Sequence, residues 1–207
     1  MLDSKLRSKL FSYPNLDIFG IYSAFTFAHK AHSAINHVRK YTGEPYINHP
    51  VHVLSLLLTY VPELTTEMCC AALLHDTVED TEVTLNDIEF AFNKKTRDLV
   101  YWLTDVSKPE DGNRETRKEK DRRHIAKAPS EAQTIKIADL MSNTSSIVEH
   151  DLNFAAIYLD EKSKLLELLE KADPNILTAA CFQLEDNLVY LDNQRLETNL
   201  LKLENCK

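Results

Sequence analysis

Residues 73–81 read LLHDTVEDT and contain four side chains whose types and spacing suit metal-assisted chemistry. His75 and Asp76 are adjacent, so an imidazole nitrogen and a carboxylate oxygen are available to the same metal ion. If the segment is helical, Glu79 and Asp80 lie one turn away from Asp76 on the same face. The pattern therefore predicts metal ligands followed by carboxylates that can handle a proton. A solvated helix end carrying capping acids is the alternative interpretation.

The remaining ligands must come from other elements, because one histidine–aspartate pair does not hold a metal ion alone. His29 and His32 are one helical turn apart, and spacing alone allows either one to point into a helical bundle. Asp139 ends the apolar stretch of TIKIAD, where a buried carboxylate needs a partner. That partner is either a metal ion or, in the competing interpretation, backbone amides or Lys136.

Composition indicates that helices carry these residues. The 207 residues include only 3 glycines, together with 7 prolines, and strand-like alternation is hard to find. Apolar spacing and capping signals place the predicted helices at about 16–38, 49–58, 65–77, 84–92, 95–106, 130–149, 154–172 and 174–203. Residues 42–50 are predicted to be a loop, and residues 107–113 an active-site loop. We therefore predict an all-α protein.

The length suits one well-buried domain. We expect residues 1–207 to form a single domain, with a motif core at about 25–147 and a C-terminal helical pair at about 152–203. This pair is expected to pack either against the bundle or against a partner subunit, which leaves a homo-oligomer open. Since nothing after Ile147 offers a nucleotide-transfer fold, no synthetase activity is expected.

The formal net charge of −8 argues against a surface that binds nucleic acid. Residues 114–127, RETRKEKDRRHIAK, are a basic exception, and they form either a solvated helix face or a rim that attracts a phosphorylated small molecule. The cysteines lack CxxC spacing and are expected to be buried thiols of a reduced compartment; they are Cys69, Cys70, Cys181 and Cys206. Without a signal peptide or an apolar run of membrane-spanning length, we expect a cytoplasmic protein with no membrane partner.

Three strings then occur in a consistent order: AHKAHSAINHVRKYTGEPYINHPVHV, ALLHDTVEDTEVT and IKIADLMSNTSSI. Together they resemble the hydrolase domain of the RelA/SpoT alarmone enzymes, and in particular the small stand-alone Mesh1-like hydrolases of the HD superfamily. The resemblance covers about residues 25–147. It implies an HD-domain helical bundle that binds one Mn²⁺ and removes the 3′-pyrophosphate from an alarmone of the stringent response, (p)ppGpp or (p)ppApp, releasing pyrophosphate.

The resemblance also implies roles for individual residues. The implied metal ligands are His32, His75, Asp76 and Asp139, a set of imidazoles and carboxylates that suits a divalent ion. The implied catalytic carboxylates are Glu79 and Asp80. The implied substrate-binding residues are Arg39, Lys40, Tyr46 and Asn143, with Lys108 and Arg114 as further contacts of the 5′ phosphates. The other histidines, His37, His49, His52, His124 and His150, are interpreted by default as structural or surface groups. Two alternatives stay open: His49 braces the GEPYI loop, and His37 borders the pocket.

The sequence departs from the family directly after Asp139. The family's D-R-L-H-N-M-R-T reads DLMSNTSS here, so Leu140 and Ser145 occupy two basic positions and Ser142 occupies the histidine position. The preferred base and the number of phosphates therefore stay open, and residues 114–127 are a candidate source of the missing charge. Two rival functions remain: an HD nucleotidase that acts on another nucleotide, and a non-catalytic nucleotide-binding sensor.

Overall fold

The computed structural model describes the backbone of residues 4–204 and the side chains of residues 4–197. This part of the chain is helical and contains no strand, which confirms the predicted all-α class. The helices are α1 Ser4–Phe11, α2 Ile18–Ala34, α3 Asn48–Tyr60, α4 Thr66–Leu74, α5 Thr77–Asp80, α6 Leu85–Ala91, α7 Lys94–Leu103, α8 Arg114–Ile125, α9 Ser130–His150, α10 Leu152–Leu166 and α11 Pro174–Glu204, with a 3₁₀ helix at Pro109–Asp111.

Side-chain caps fix where several helices begin. The predicted capping box of α6 is present: Thr84 accepts a hydrogen bond from the backbone N–H of Asp87, and Asp87 accepts one from the backbone N–H of Thr84. Thr65 caps α4 by accepting from the backbone N–H of Met68 at 3.2 Å. These bonds satisfy N–H groups that a helix start otherwise leaves unpaired.

Several helices end earlier than the sequence predicts, including α2, α4, α7 at Leu103 and α10 at Leu166, and two of these ends have a visible cause. The segment predicted to be helical at 65–77 breaks after Leu74, where Thr77 Oγ1 donates to the Leu74 carbonyl at 2.7 Å and His75 Nδ1 lies 2.9 Å from the Ala72 carbonyl oxygen. Side chains that bond to nearby carbonyls compete with the helical pattern. Helix α2 stops at Ala34 because Asn36 adopts a φ of 53°, a left-handed conformation that a helix cannot continue. The sequence analysis did not predict α1.

Helices α4 and α9 form the centre of the bundle. Every residue of α4 from Met68 to Leu74 is buried, and the helix packs against α2, α3, α7 and α9. Helix α9 in turn packs against α3, α7, α10 and α11, so the C-terminal helical pair covers the bundle. Because α4 ends at His75 and α9 contains Asp139, the two most central helices deliver predicted ligands to one place.

The structure also bears on the predictions for the cysteines and for a membrane-spanning segment. Cys69 and Cys70 are buried thiols as predicted, whereas the prediction is wrong for Cys181, which is exposed on α11. Cys206 lies outside the described residues. Among the helices of residues 4–204, none combines the length and the apolar character needed to cross a membrane.

The packing of α4 predicts a large stability effect at its centre. Leu73 is fully buried, so Leu73→Ala should lower the free energy of unfolding by about 2–5 kcal/mol through lost burial and the cavity left behind. The matched control is Leu188→Ala on α11, where the side chain is 45% exposed and the expected loss is about 0.5 kcal/mol or less. Urea unfolding followed by circular dichroism measures both, and similar losses would contradict the assignment of α4 to the core.

Candidate active site

Four side chains converge where α3, the α4–α5 turn and α9 meet, and we call them the HD centre: His49, His75, Asp76 and Asp139. His75 Nε2 lies 3.0 Å from Asp76 Oδ2 and 3.3 Å from His49 Nε2. Asp139 Oδ1 lies 3.1 Å from His49 Nε2 and 3.7 Å from His75 Nε2. Imidazole nitrogens and carboxylate oxygens are ligands of divalent transition metals. The HD centre therefore concentrates metal-binding atoms within a few ångströms.

His32 adds a fifth candidate ligand from α2. Its side chain is buried, and its Nε2 has no hydrogen-bond partner within the described part of the chain. Burial lowers the pKa of His32 to about 4, although the charge of Asp76 opposes this shift. The ring is therefore neutral near pH 7, which is the form that binds metals. A buried ring nitrogen that no protein group satisfies is available as a ligand for a divalent ion.

Asp139 has the lysine partner that the sequence offered as an alternative to metal binding. Lys136 Nζ lies 2.9 Å from Asp139 Oδ2, and Asn143 Nδ2 donates to Asp139 Oδ1 at 2.7 Å. Burial alone would raise the pKa of Asp139, but the Lys136 charge and the hydrogen bonds from His49 and His75 hold it well below its usual range. The carboxylate is therefore ionised, and its Oδ1 remains in the HD centre while Oδ2 is paired.

Asp76 is oriented by a tyrosine from the 42–50 loop. Tyr46 Oη donates to Asp76 Oδ2 at 2.6 Å. Burial would raise the pKa of Asp76, but the neighbouring His75 and His49 lower it below its usual value. Burial and the charge of Asp76 together raise the pKa of Tyr46 far above 10, so the phenol stays a hydrogen-bond donor. The predicted substrate residue Tyr46 thus contacts a predicted metal ligand directly.

Glu79 and Asp80 have different neighbours. The Glu79 carboxylate accepts a hydrogen bond from the backbone N–H of Asp105, whereas Asp80 Oδ2 lies 4.0 Å from His37 Nδ1. Glu79 is exposed as a residue, but its carboxylate lies against Asp105, and partial burial of the carboxylate followed by the Asp105 charge raises its pKa to about 7. Burial and the charge of Asp76 also raise the pKa of Asp80.

A cavity of about 160 Å³ lies beside the HD centre, between α8, α9 and α10, and we call it the basic cavity. Asp139 and Asn143 form part of its wall. Its basic lining residues are Arg114, Lys118, Arg122, Lys136 and Lys162. A larger groove of about 1020 Å³ runs between α1 and α2, but no histidine lines it. Of these two, the smaller cavity borders the HD centre. A third cavity of about 280 Å³ borders it on the side of Arg39, His49 and Ser142.

Pairing holds several cations of the basic cavity in place. Arg114 binds Glu161 through two hydrogen bonds of 2.7 and 2.8 Å, and Lys118 Nζ lies 2.9 Å from Asp105 Oδ2. Arg122 is buried, and its Nη1 has no partner among the described residues. The acids Asp105, Asp121, Asp139 and Glu161 also line the cavity. Its cations are therefore fixed in position but largely offset in charge, and Arg122 Nη1 is left as a donor without a partner among the described residues.

Comparison with known proteins places this geometry in a family. The HD domain model matches residues 24–150, which is more than half of the chain. The guanosine-3′,5′-bis(diphosphate) 3′-pyrophosphohydrolase MESH1 of Homo sapiens is 33% identical over 158 residues, covering 74% of this chain and 82% of the human protein. The chain belongs to the HD-domain family of small alarmone hydrolases.

Other relatives agree with this placement. The corresponding MESH1 protein of Danio rerio is 38% identical over 106 residues, which span about half of each chain, at 49% and 54%. A solved structure described as a metazoan ortholog of SpoT that hydrolyzes ppGpp superposes with a TM-score of 0.70 at 24% identity, covering 85% of this chain and 95% of that one. At this identity the superposition supports the shared fold.

The structure brings some of the predicted substrate residues of this HD domain together. Arg39 Nη2 donates to Asn143 Oδ1 at 3.2 Å, and its guanidinium carbon lies 5.7 Å from the centre of the Tyr46 ring. Lys40 instead lies over the Tyr41 ring, with Nζ 4.7 Å from its centre. Lys108 is exposed at the start of the 3₁₀ helix and is not among the residues that line the basic cavity.

The sequence analysis missed the position of His49 in the HD domain. It interpreted this histidine as a structural or surface group, whereas the side chain is buried in the HD centre. The available signal was its place at the end of the GEPYINHP string. Ser142, which occupies the family's histidine position, contacts the same residue. Its Oγ lies 3.0 Å from His49 Nδ1 and 2.9 Å from His52 Nδ1.

Divalent metal binding should stabilise the fold measurably, because the HD centre exists only in the folded chain. At a free ion concentration of 100 times the Kd, the expected gain in the free energy of unfolding is about 2.7 kcal/mol. Differential scanning fluorimetry with and without Mn²⁺ should show this as a higher Tm. In Asp139→Asn the increase should disappear, and an equal increase in that variant would place the bound ion elsewhere.

Proposed function

We propose that this protein is a Mn²⁺-dependent hydrolase that removes the 3′-pyrophosphate from a nucleotide alarmone, (p)ppGpp or (p)ppApp. This proposal rests mainly on the HD centre, which has Glu79 and the basic cavity next to it. Relatives whose names specify this reaction support the same activity. The expected single domain, cytoplasmic location and absence of nucleic-acid and membrane partners stay predictions.

The proposed metal ligands are His32, His75, Asp76 and Asp139. In the structure, His49 shares one group of ligand atoms with His75 and Asp76, whereas His32 shares another with His37 and Asp80. Two imidazoles with two carboxylates suit Mn²⁺ as well as other divalent ions, and the choice of Mn²⁺ rests on the family resemblance. When bound, such an ion polarises a phosphoryl oxygen and makes water more acidic. Tyr46 orients Asp76 for this role, and Lys136 and Asn143 orient Asp139.

Glu79 is the proposed general base. Its pKa of about 7 lies close to the working pH, which is where a base is most effective. Its carboxylate also lies on the side of Asp105, a residue that lines the basic cavity. Asp80 is on the opposite side, towards His37, and is the second candidate for handling the proton of the attacking water.

The basic cavity is the proposed site of the substrate's phosphates. Leu140 and Ser145 cannot supply the charge that the family has at those positions. Three Lys or Arg residues of the basic segment 114–127 line the cavity instead, namely Arg114, Lys118 and Arg122. This supports the expectation that residues 114–127 replace the missing charge. Arg39, which is hydrogen-bonded to Asn143, and Tyr46, which is hydrogen-bonded to Asp76, are the proposed contacts of the base and sugar.

The products of the purified protein test this function. With Mn²⁺ and either ppGpp or ppApp, we expect pyrophosphate from at least one of the two, and the comparison identifies the preferred base. Asp76→Asn, which retains the size of the side chain, should release none. Tight binding of both nucleotides without product would instead support the sensor, and phosphate release from a nucleoside monophosphate with no pyrophosphate from either alarmone would support the nucleotidase.

The raised pKa of Glu79 predicts a specific pH dependence. Because the base acts as the carboxylate, kcat/KM should increase as the pH rises through about 7. Asp105→Asn removes a negative charge that raises this pKa, so the midpoint of the increase should move to lower pH. Glu79→Gln should lose about 10²–10⁴-fold in rate. An unchanged midpoint in Asp105→Asn would assign the titration to another group.

A further inference from the structure

We infer that His37 is a positioning residue for the metal ligand His32, because it accepts a hydrogen bond from His32 Nδ1–H and leaves Nε2 free to bind the ion. This inference rests on the proposed function, in which His32 is a ligand. Contacts among four side chains support this role: His32, His37, Tyr46 and Asp76.

The two ring nitrogens are close enough to define a direction for the hydrogen bond. His32 Nδ1 lies 3.1 Å from His37 Nδ1, so one of the two must donate and the other accept. A neutral imidazole has one N–H group. If it is on Nδ1 of His32, then Nε2 carries a lone pair, and this is the nitrogen without any other partner among the described residues. The reverse tautomer would leave a buried N–H unpaired next to the ligands.

The backbone places the His37 ring for this contact. Asn36, with its φ of 53°, reverses the chain directly after α2, and the backbone N–H of His37 then donates to the His32 carbonyl at 3.0 Å. The His37 carbonyl accepts from the backbone N–H of Tyr46 at 3.1 Å. The positions of the two histidines are thus coupled through main-chain as well as side-chain hydrogen bonds.

The same ring also supports a second ligand. His37 stacks on Tyr46 with ring centres 3.7 Å apart and an interplanar angle of 11°. Tyr46 in turn donates to Asp76 at 2.6 Å. One histidine therefore braces ligands from two different elements, His32 from α2 and Asp76 from the α4–α5 turn. Partners of this kind fix the tautomer and the orientation of a metal-binding imidazole.

Two substitutions separate the hydrogen bond from the stacking. His37→Phe keeps a ring on Tyr46 but has no acceptor, whereas His37→Gln keeps an acceptor and loses the ring. The Mn²⁺ Kd of the full chain is measured for each variant by competition with a chelator. We expect the Kd of His37→Phe to be about 10–100-fold higher than that of the wild type, and the glutamine to restore most of the affinity. The Tm of each metal-free variant shows whether it is folded.

The outcomes distinguish this role from its competitors. Equal Kd values for His37→Phe and the wild type would overturn the inference, as would a greater loss in His37→Gln than in His37→Phe. The group of His32, His37 and Asp80 also has the spacing of a cation site. Two ions per wild-type chain and one in both variants would make His37 a ligand and overturn the positioning role. A wild-type chain that binds no Mn²⁺ would overturn the proposed function as well.

Discussion

The structure depends on burying carboxylates and imidazole rings where α3, α4 and α9 meet. Removing a carboxylate from water is costly unless its oxygens are paired. The chain provides that pairing through Lys136 and Asn143 for Asp139 and through Tyr46 for Asp76. These partners prepare an ionised donor set before any ion binds. Among these ligands, His32 Nε2 is left without a hydrogen-bond partner from the described protein groups.

The fold supplies rigidity where the ligands need it and looser structure where the substrate must enter. The buried residues 68–74 of α4 and the long α9 carry His75 and Asp139. The loop that carries Arg39 and Tyr46 has a single isolated bridge, between Val38 and Pro45, in place of regular structure. The core thus positions His75 and Asp139, and the loop supplies the proposed substrate contacts. This division suits an enzyme that must hold an ion tightly and release a product.

The sequence predicted what depends on local pattern. Helix periodicity and the capping box located most helices, and the apolar run before His75 indicated that the HD turn borders the core. The break between α4 and α5 could not be predicted, because it depends on Thr77 and His75 bonding to carbonyls of the preceding turn. The position of His49 depends on how α3 packs against α9, which no local pattern reports. The sequence did indicate that residues 114–127 supply positive charge, but the packing of α8 against α9 and α10 that forms the basic cavity has no local signal.

Asn143 joins Arg39 of the loop to Asp139 of the HD centre. Its amide oxygen accepts from Arg39 while its amide nitrogen donates to Asp139, so both ends of the group have a fixed direction. An aspartate of the same shape would present an acceptor to Asp139 and lose the donor. A leucine would lose the hydrogen bond between this position of α9 and Arg39 of the loop. The role of Asn143 therefore depends on the orientation of its amide dipole, and neither the size nor the polarity of the side chain alone reproduces it.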